Sequence, residues 1–204
     1  MQGIDIALVA LGYLIGGIPV GVLVARAHGV NLFEVGSGNI GATNVVRALG
    51  FRWGLLVWLG DVGKGLVAVL IARAVSTAEG VWAAMAVAAV LGHCFSPYLG
   101  LRGGRGIATS LGVLLATDWR IGLCAFGVWI VVVLVKRIVS LGSLAAALSL
   151  VPLSQVFHDT VPILLMTSCL TCIGFIRHKE NLERLFRGEE KPIGRRRAES
   201  GKGE

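Results

Sequence analysis

Four predominantly apolar runs, each about twenty residues long, constrain this chain more than any other feature. They cover residues 4–25, 53–75, 81–99 and 138–156. A helix of that length spans the roughly 30 Å hydrocarbon core of a bilayer. Three shorter apolar runs, residues 107–117, 121–135 and 162–176, need a thinned bilayer or a re-entrant path. Together the runs predict about seven transmembrane helices.

The composition excludes the other common classes of protein. Of 204 residues, 55% are hydrophobic and only 15% are charged, whereas soluble chains are roughly a quarter charged. All four cysteines lie in apolar runs, so we predict no disulfide. We therefore expect an all-α, polytopic integral membrane protein. It has one transmembrane domain over residues 1–187 and a basic, mobile tail over residues 188–204.

The basic residues predict the orientation of the helices, because cytoplasmic loops carry an excess of Lys and Arg. Nine of the nineteen Lys and Arg residues follow position 176, so the C-terminus is predicted to be cytoplasmic. Seven crossings then place the N-terminus outside and sixteen of the nineteen basic residues inside. Two glycine-rich loops fall on the cytoplasmic side, and there we expect the chemistry.

The first of these loops begins with glycines at a suggestive spacing. Gly36, Gly38 and Gly41 match the pattern of a dinucleotide-binding fingerprint, but no strand–helix alternation surrounds them, which excludes that function. Glycines also let backbone N–H groups converge on an anion. We therefore predict an anion site at residues 36–50.

A short helix is predicted within this loop, over residues 42–49, with Gly50 ending it. Thr43, Asn44 and Arg47 are spaced three and four residues apart, so they share one face. The alternative is an interfacial turn and an amphipathic helix that bind nothing.

The second loop, residues 99–110, combines glycines with Arg102 and Arg105 and leads directly into an apolar helix. Glycine-rich backbone before a helix N-terminus is a phosphate cradle, because free N–H groups and the positive end of the helix dipole meet there. A Walker loop is excluded, since its lysine is missing. The alternative, a loop that merely obeys the positive-inside rule, explains the arginines but not the glycines.

Ionisable residues inside the apolar runs form a third signal, because they are costly to bury in lipid. Asp61 and Lys64 either neutralise each other or belong to a site. His93 is explained equally well as a packing residue. Taken together, the residues predict a cytoplasmic site for two phosphates, which implies phospholipid synthesis or phosphate transport.

Six segments, in order, resemble the bacterial acyl-phosphate:glycerol-3-phosphate acyltransferase family (PlsY type). They are Gly36-Ser-Gly-Asn-Ile-Gly-Ala-Thr-Asn-Val-Val-Arg-Ala-Leu-Gly50, Asp61-Val-Gly-Lys-Gly65, Gly92-His93, Arg102-Gly-Gly-Arg-Gly-Ile-Ala-Thr109, Val139-Ser140 and Arg177-His-Lys-Glu-Asn181. The resemblance covers about residues 10–195. Arg105 departs from it, because the family usually has lysine there.

The resemblance implies transfer of a fatty acyl group from acyl phosphate to glycerol-3-phosphate, which gives lysophosphatidic acid and phosphate. It also implies a bacterial inner (cytoplasmic) membrane location and a soluble partner enzyme that produces acyl phosphate. No cofactor, metal or nucleic acid is implied. The rival functions are a phosphate or organic-phosphate transporter and a non-catalytic lipid-binding subunit.

The resemblance also implies which residues form the site. The catalytic residues are Ser37, Arg47, Arg105, His178 and Asn181. The substrate-binding residues are Gly38, Asn39, Thr43, Asn44, Lys64, Arg102, Gly103, Gly104, Gly106, Thr109 and Ser140. Two points stay open: the proton acceptor is His178 or a substrate phosphate oxygen, and Ser37 either donates a hydrogen bond or carries the acyl group.

Overall fold

A computed structural model describes residues 3–190 and residue 192, and within them the chain forms ten α-helices and no β-strand. This confirms the all-α prediction. The helices are α1 Gly3–Gly17, α2 Val20–Ala27, α3 Ala42–Leu49, α4 Phe51–Val75, α5 Glu79–Cys94, α6 Ile107–Thr117, α7 Trp119–Lys136, α8 Val139–Phe157, α9 Val161–Arg177 and α10 Lys179–Phe186. A 3₁₀ turn, Pro97–Leu99, follows α5.

Judged by helix length, there are fewer candidate membrane spans than the sequence predicted. In the described residues, five candidate spans are long and apolar enough to cross a bilayer, and α9 with α10 makes a sixth if that bent pair is counted. The predicted run 121–135 proves to be a full helix of 18 residues, α7. The shortest predicted span coincides with α6, which has only 11 residues. The count of seven and the orientation of the termini stay predictions.

The first apolar run is broken, where the sequence predicted one continuous span. α1 ends at Gly17 and α2 begins at Val20, with Pro19 between them. Proline has no N–H to donate and disfavours helical backbone in the residue before it, here Ile18. Together the two helices still form one candidate span of 25 residues, Gly3–Ala27.

One large apolar core holds the long helices together. Its most deeply buried large side chains are Met85, Ile121, Ile163 and Met166, each at most 1% exposed. They come from α5, α7 and α9, so the core runs through the centre of the helix bundle. Large apolar side chains such as Leu134 and Val135 on α7 are more than 70% exposed, as a lipid-facing surface requires.

A polar cluster joins the helices at one end of the bundle. His158, after α8, lies 2.9 Å from Glu79 through Nε2 and 3.3 Å from Asp118 through Nδ1. Arg120 donates two hydrogen bonds to the same Asp118 carboxylate. The two glycine-rich loops and the C-terminal end of α9 lie at the other end, because each long helix runs from one end to the other.

The helix α10 leaves the bundle at an angle of 61° to α9. It carries charged residues at four of its eight positions, which fits a helix on the membrane surface rather than within it. The predicted basic tail, residues 188–204, lies largely outside the described residues, apart from residues 188–190 and 192.

Candidate functional site

The first glycine-rich loop is folded around the side chain of Asn44. The Asn44 amide donates to the carbonyls of Leu32 (3.2 Å) and Val35 (2.9 Å), and its Oδ1 accepts from the backbone N–H of Ser37 (3.0 Å). Asn44 is only 1% exposed. Its hydrogen-bonding groups are thus used by the loop, and the structure shows Asn44, a predicted substrate ligand, as the residue that fixes the loop.

Gly36 is required by this arrangement. Its φ is +62°, and a Cβ atom there would overlap Oδ1 of Asn44. The helix α3 follows, with the bounds that the sequence predicted, and Gly50 ends it at φ +92°. These features restrict the backbone conformation of the loop.

Ser37, Thr43 and Arg47 are exposed at the surface of this loop. None of their side chains makes a hydrogen bond or ion pair with another described residue. Gly38 continues the left-handed turn at φ +68°, and Asn39 beside it is half-buried. A hydroxyl group and a guanidinium at the predicted anion site are thus free of protein partners in the described part of the chain.

The second loop is held from both sides. The N–H of Gly104 donates to the carbonyl of His93 (3.1 Å). Arg177 donates through Nη2 to the carbonyl of Gly103 (2.9 Å) and through Nε to that of Gly104 (3.0 Å). Its guanidinium also lies over the ring of Phe95, 5.1 Å from the centroid. The Arg177 guanidinium is therefore engaged with the loop itself.

The loop leads into α6 through Gly106, which has a φ of +82° and caps the helix without a side-chain acceptor. The N–H groups of the first helical turn are therefore free at the place where the sequence predicted a phosphate cradle. Thr109 in that turn is fully buried, and its hydroxyl oxygen has no partner among the described residues. Arg102 is exposed at the start of the loop.

Lys64 belongs to a buried charged cluster behind the second loop. Its ammonium lies 2.8 Å from Oδ1 of Asp61, 2.8 Å from Nδ1 of His93 and 2.9 Å from the carbonyl of Ile18. Of the two interpretations left open for Asp61 and Lys64, mutual neutralisation is what the structure shows. The cluster still touches the site, because a Cβ on Gly104 would overlap the His93 ring at Nε2.

His178 is held as a neutral hydrogen-bond acceptor. Its Nδ1 lies 2.7 Å from the carbonyl of Gly174, so Nδ1 carries the proton and Nε2 keeps its lone pair. Burial lowers the pKa of the His178 imidazole to about 4, and the charges of Arg105 and Arg177 act in the same direction. The ring is 2% exposed and uncharged near neutral pH.

Asn181, also predicted to be a catalytic residue, is buried, and only the nitrogen of its side-chain amide forms a hydrogen bond to a described residue. Its Nδ2 donates to Oε1 of Glu190 at 2.6 Å. Its Oδ1 has no partner among the described residues. A buried acceptor without a donor is costly, so this atom is set to receive a hydroxyl group from a ligand.

Glu190 is a site residue that the sequence analysis missed. Its carboxylate accepts from Ser140 (2.6 Å), from Asn181 and from Nε of Arg184 (2.7 Å). Burial alone would raise the pKa of Glu190, but these three hydrogen bonds outweigh burial and hold the pKa below its usual value. The sequence feature that could have indicated Glu190 is its position, because it is an acidic residue at the start of a basic tail.

The Arg105 guanidinium interacts electrostatically with charged residues from several parts of the site. Burial lowers the pKa of its guanidinium, whereas the carboxylates of Glu190 and Glu180 oppose that change and the charge of Arg47 adds to it. No hydrogen bond or ion pair within the described residues uses the Arg105 side chain. An arginine remains charged even so, and a partly desolvated cation binds an anion more strongly than an exposed one.

The two loops, α10 and the start of α8 therefore form one basic site. The free groups are Ser37, Arg47, Arg105, Nε2 of His178, Oδ1 of Asn181 and the first turn of α6. Such a set binds phosphate through the arginines and the helix end, and it places neutral acceptors beside them. Among the described residues, no group of three His, Cys, Asp or Glu side chains is arranged to hold a metal ion.

Comparison with known sequences gives a consistent result. Residues 6–188 match the family described as glycerol-3-phosphate acyltransferase. A glycerol-3-phosphate acyltransferase of Thermus thermophilus is 44% identical over 186 residues, which is 91% of this chain and 94% of that protein. One of Geobacter sulfurreducens is 44% identical over 187 residues, covering 91% and 96%.

Two solved structures share the fold. One is a crystal structure of PlsY (YgiH), an integral membrane glycerol 3-phosphate acyltransferase, in its glycerol 3-phosphate form. It matches with a TM-score of 0.91 and 40% identity over 94% of this chain and 96% of that one. The lysophosphatidic acid form of PlsY matches with a TM-score of 0.89 and 39% identity, with the same coverage.

Proposed function

The chain belongs to the glycerol-3-phosphate acyltransferase family, and we propose that it transfers a fatty acyl group from acyl phosphate to glycerol-3-phosphate. The products are lysophosphatidic acid and inorganic phosphate. The observation that carries this proposal is the pair of free arginines, Arg47 and Arg105, whose charges interact within one basic site. Two cations are what two phosphate groups require at close range in a medium of low dielectric constant.

Glycerol-3-phosphate is assigned to the side of the site formed by the first loop and α10. Arg47 and the Ser37 hydroxyl bind its phosphate, since both are free and belong to a loop that Asn44 fixes. Oδ1 of Asn181 accepts from a glycerol hydroxyl, which satisfies the buried oxygen that has no other partner. The related PlsY structure solved in its glycerol 3-phosphate form supports this choice of acceptor.

The donor phosphate is assigned to the second loop. Arg105 and the free N–H groups at the start of α6 bind its oxygens, while Arg177 keeps the loop carbonyls turned to itself. Ser140 lies near enough to Glu190 to donate to it and completes the site from α8. An acyl phosphate is already activated, so holding its carbonyl beside the acceptor hydroxyl supplies most of the catalysis.

The proton of the acceptor hydroxyl goes to a phosphate oxygen. The attacking oxygen forms a bond with the acyl carbon, the bond from that carbon to the phosphate oxygen breaks, and the departing phosphate takes the proton. His178 has a pKa of about 4, too low to hold a proton near neutral pH, whereas phosphate esters titrate near pH 6. His178 instead accepts a hydrogen bond from the hydroxyl through Nε2 and orients it.

Ser37 acts as a hydrogen-bond donor rather than as a nucleophile. No described histidine or carboxylate hydrogen-bonds to its hydroxyl, so nothing activates it. Incubation with labelled acyl phosphate in the absence of glycerol-3-phosphate tests this. We expect no stable label on the wild type or on Ser37→Ala; label on the wild type alone contradicts the role.

The cellular setting follows from the same proposal. The protein lies in the bacterial inner membrane with its site toward the cytoplasm, where a soluble enzyme supplies acyl phosphate. The concentration of basic residues at the site end of the bundle supports that orientation. The bilayer itself receives the acylated product.

Purified protein in detergent, given palmitoyl phosphate and glycerol-3-phosphate, tests the proposal. We expect lysophosphatidic acid and phosphate in equal amounts, with no product from palmitoyl coenzyme A. Arg105→Gln should slow the reaction by at least about 100-fold, whereas Arg52→Gln, at an exposed arginine outside the site, should not. A protein that makes no product in detergent but moves phosphate across sealed vesicles contradicts the enzyme and supports the rival transporter.

A further inference from the structure

A second basic cavity lies beside the glycine loop. Its volume is about 470 Å³, and it is lined by Arg26, Phe33, Tyr98, Leu99, Gly100 and Arg102. These residues come from the end of α2, the start of the first loop and the segment after α5. Leu99, Gly100 and Arg102 open the second loop, whereas Arg26, Phe33 and Tyr98 lie outside the site assigned to the two substrates.

The two arginines of this cavity are exposed, and no described acidic side chain pairs with them. Neither Arg26 nor Arg102 makes a side-chain hydrogen bond or ion pair with any residue that the structure describes. The nearest acid in the lining segment, Glu34, accepts from the amide of Asn31 instead. Two free guanidinium groups around one cavity favour an anionic ligand, and guanidinium groups fit phosphate well.

The rim of the cavity is aromatic and open. Phe33 is 37% exposed and Tyr98 is 54% exposed. Aromatic side chains of this kind are enriched where a membrane protein meets the lipid headgroups. A ligand that combines a phosphate with an apolar part therefore fits the cavity better than a free small anion.

Hydrogen bonds fix the wall of the cavity in place. The hydroxyl of Ser96 donates to the carbonyl of Gly17 (2.6 Å), and the N–H of Ser96 donates to the carbonyl of Arg102 (3.2 Å). Gly100 and Leu101 both adopt left-handed backbone, at φ +60° and +61°. Leucine disfavours that conformation, so the hydrogen bonds must hold the turn in place.

We propose that this cavity binds the phosphate headgroup of an anionic phospholipid of the cytoplasmic leaflet. The phosphate lies between Arg26 and Arg102, and the lipid's glycerol and chains extend past Phe33 and Tyr98 into the bilayer. Arg102 is followed directly by Gly103, whose carbonyl Arg177 holds, so a bound lipid touches the same loop that carries Arg105. The proposal concerns binding and stands whether or not the acyltransferase reaction does.

Native mass spectrometry of the delipidated full chain, without substrates, tests this directly. The probes are phosphatidylglycerol and phosphatidylcholine with identical chains. We expect tighter binding of phosphatidylglycerol by the wild type and about a 30-fold loss of that preference in Arg26→Gln/Arg102→Gln, since each arginine near an anionic lipid contributes about fivefold.

Arg52→Gln is the matched control, because Arg52 is an exposed arginine at the same end of the bundle and does not line the cavity. It should bind both lipids as the wild type does. If the double variant does not fold, the single Arg26→Gln takes its place, with an expected loss of about fivefold.

Two results overturn the proposal. One is equal binding of the two lipids by the wild type, or a preference that is undiminished in Arg26→Gln, which leaves the arginines as orientation signals only. The other is displacement of the bound lipid by millimolar inorganic phosphate or by palmitoyl phosphate, which assigns the cavity to a free anion or to the donor. A failed acyl-transfer assay has no bearing on either result.

Discussion

The ammonium nitrogen of Lys64 lies 2.8 Å from Nδ1 of His93, and both side chains are at least 93% buried. A lysine N–H that donates to Nδ1 leaves the ring proton on Nε2, the atom that faces Gly104. The charged cluster on α4 thus reaches the glycine loop through one imidazole. The cluster therefore packs directly behind the loop that carries Arg105.

Replacing Lys64 tests how much this cluster stabilises the fold. Lys64→Met leaves the Asp61 carboxylate buried without its cation, which costs about 3–5 kcal/mol. We expect a clear fall in the thermal midpoint in detergent, and partial recovery in Asp61→Asn/Lys64→Met. Lys136→Met, at an exposed lysine, should leave the midpoint unchanged. Equal destabilisation of the single and double variants contradicts the prediction.

Gly36 and Gly29 form a matched pair of glycines with positive φ. Gly36→Ala both strains the backbone and overlaps Asn44, whereas Gly29, at φ +69°, has open space where a Cβ would stand. We expect Gly36→Ala to lower kcat/KM at least tenfold through disturbance of the loop, and Gly29→Ala to change it less than threefold, on the order of the strain alone. Steady-state kinetics with both substrates measures this. Similar effects at the two positions exclude Asn44 as the residue that matters.

The hydrogen bond between Asn181 and Glu190 can be tested by exchanging the amide and the carboxylate between the two positions. Asn181→Asp removes the donor and brings two carboxylates together, so we expect a loss of activity on the order of 100-fold. Asn181→Asp/Glu190→Gln restores one donor and one acceptor and should recover part of it. Glu183→Gln, an exposed acid on the same helix, serves as the control. No recovery in the double variant means that Glu190 does not hold Asn181 for catalysis.

The buried neutral His178 predicts a loss of stability in acid. Its pKa is about 4 in the folded protein and about 6.5 in an unfolded chain, so the unfolded state binds more protons between these values. The free energy of unfolding should therefore fall as the pH drops below 6.5, by up to about 1.4 kcal/mol per unit. Thermal midpoints from pH 8 to pH 5 measure this effect. His178→Gln should flatten the profile, and an unchanged slope rules out His178 as its source.

Substitutions of Arg105 can separate the effect of charge from that of geometry, because the guanidinium can be replaced by another cation or by a neutral amide. Arg105→Lys keeps the cation but loses the planar fork, and we expect kcat/KM within about tenfold of the wild type. Arg105→Gln removes the charge and should lower kcat by about 100- to 1,000-fold. Equal losses in both variants indicate that two-point binding of phosphate, not charge, is what the position supplies.

The parts of the fold that local sequence determines were predicted well. The bounds of α3 follow from a short apolar pattern and from Gly50, and the long spans follow from hydropathy. The break at Pro19 was not predicted, because hydropathy averages over a run and does not register a missing N–H donor. The length of α7 was underestimated, since polar residues at its ends belong to the helix as well.

The sequence could not show which residues of the candidate site hold its loops and which remain free for a ligand. Arg177 and Gly103 are 74 residues apart in sequence, and Ser140 and Glu190 are 50 apart. Nothing in the sequence alone says that one arginine holds a loop while another stays free. Asn44 and Lys64 were predicted as ligands for the same reason: polar residues in a polar motif have no visible partner until the chain is folded.

The carbonyl of Ile18 at the break between α1 and α2 lies 2.9 Å from the Lys64 ammonium. Synthesis proceeds from the N-terminus, so this acceptor is already within the bilayer when α4 emerges from the ribosome. The break in the first span then supplies a hydrogen-bond acceptor for a charge that is costly to bury in lipid. A first span without this break would leave the Lys64 ammonium with Asp61 and His93 as its remaining partners.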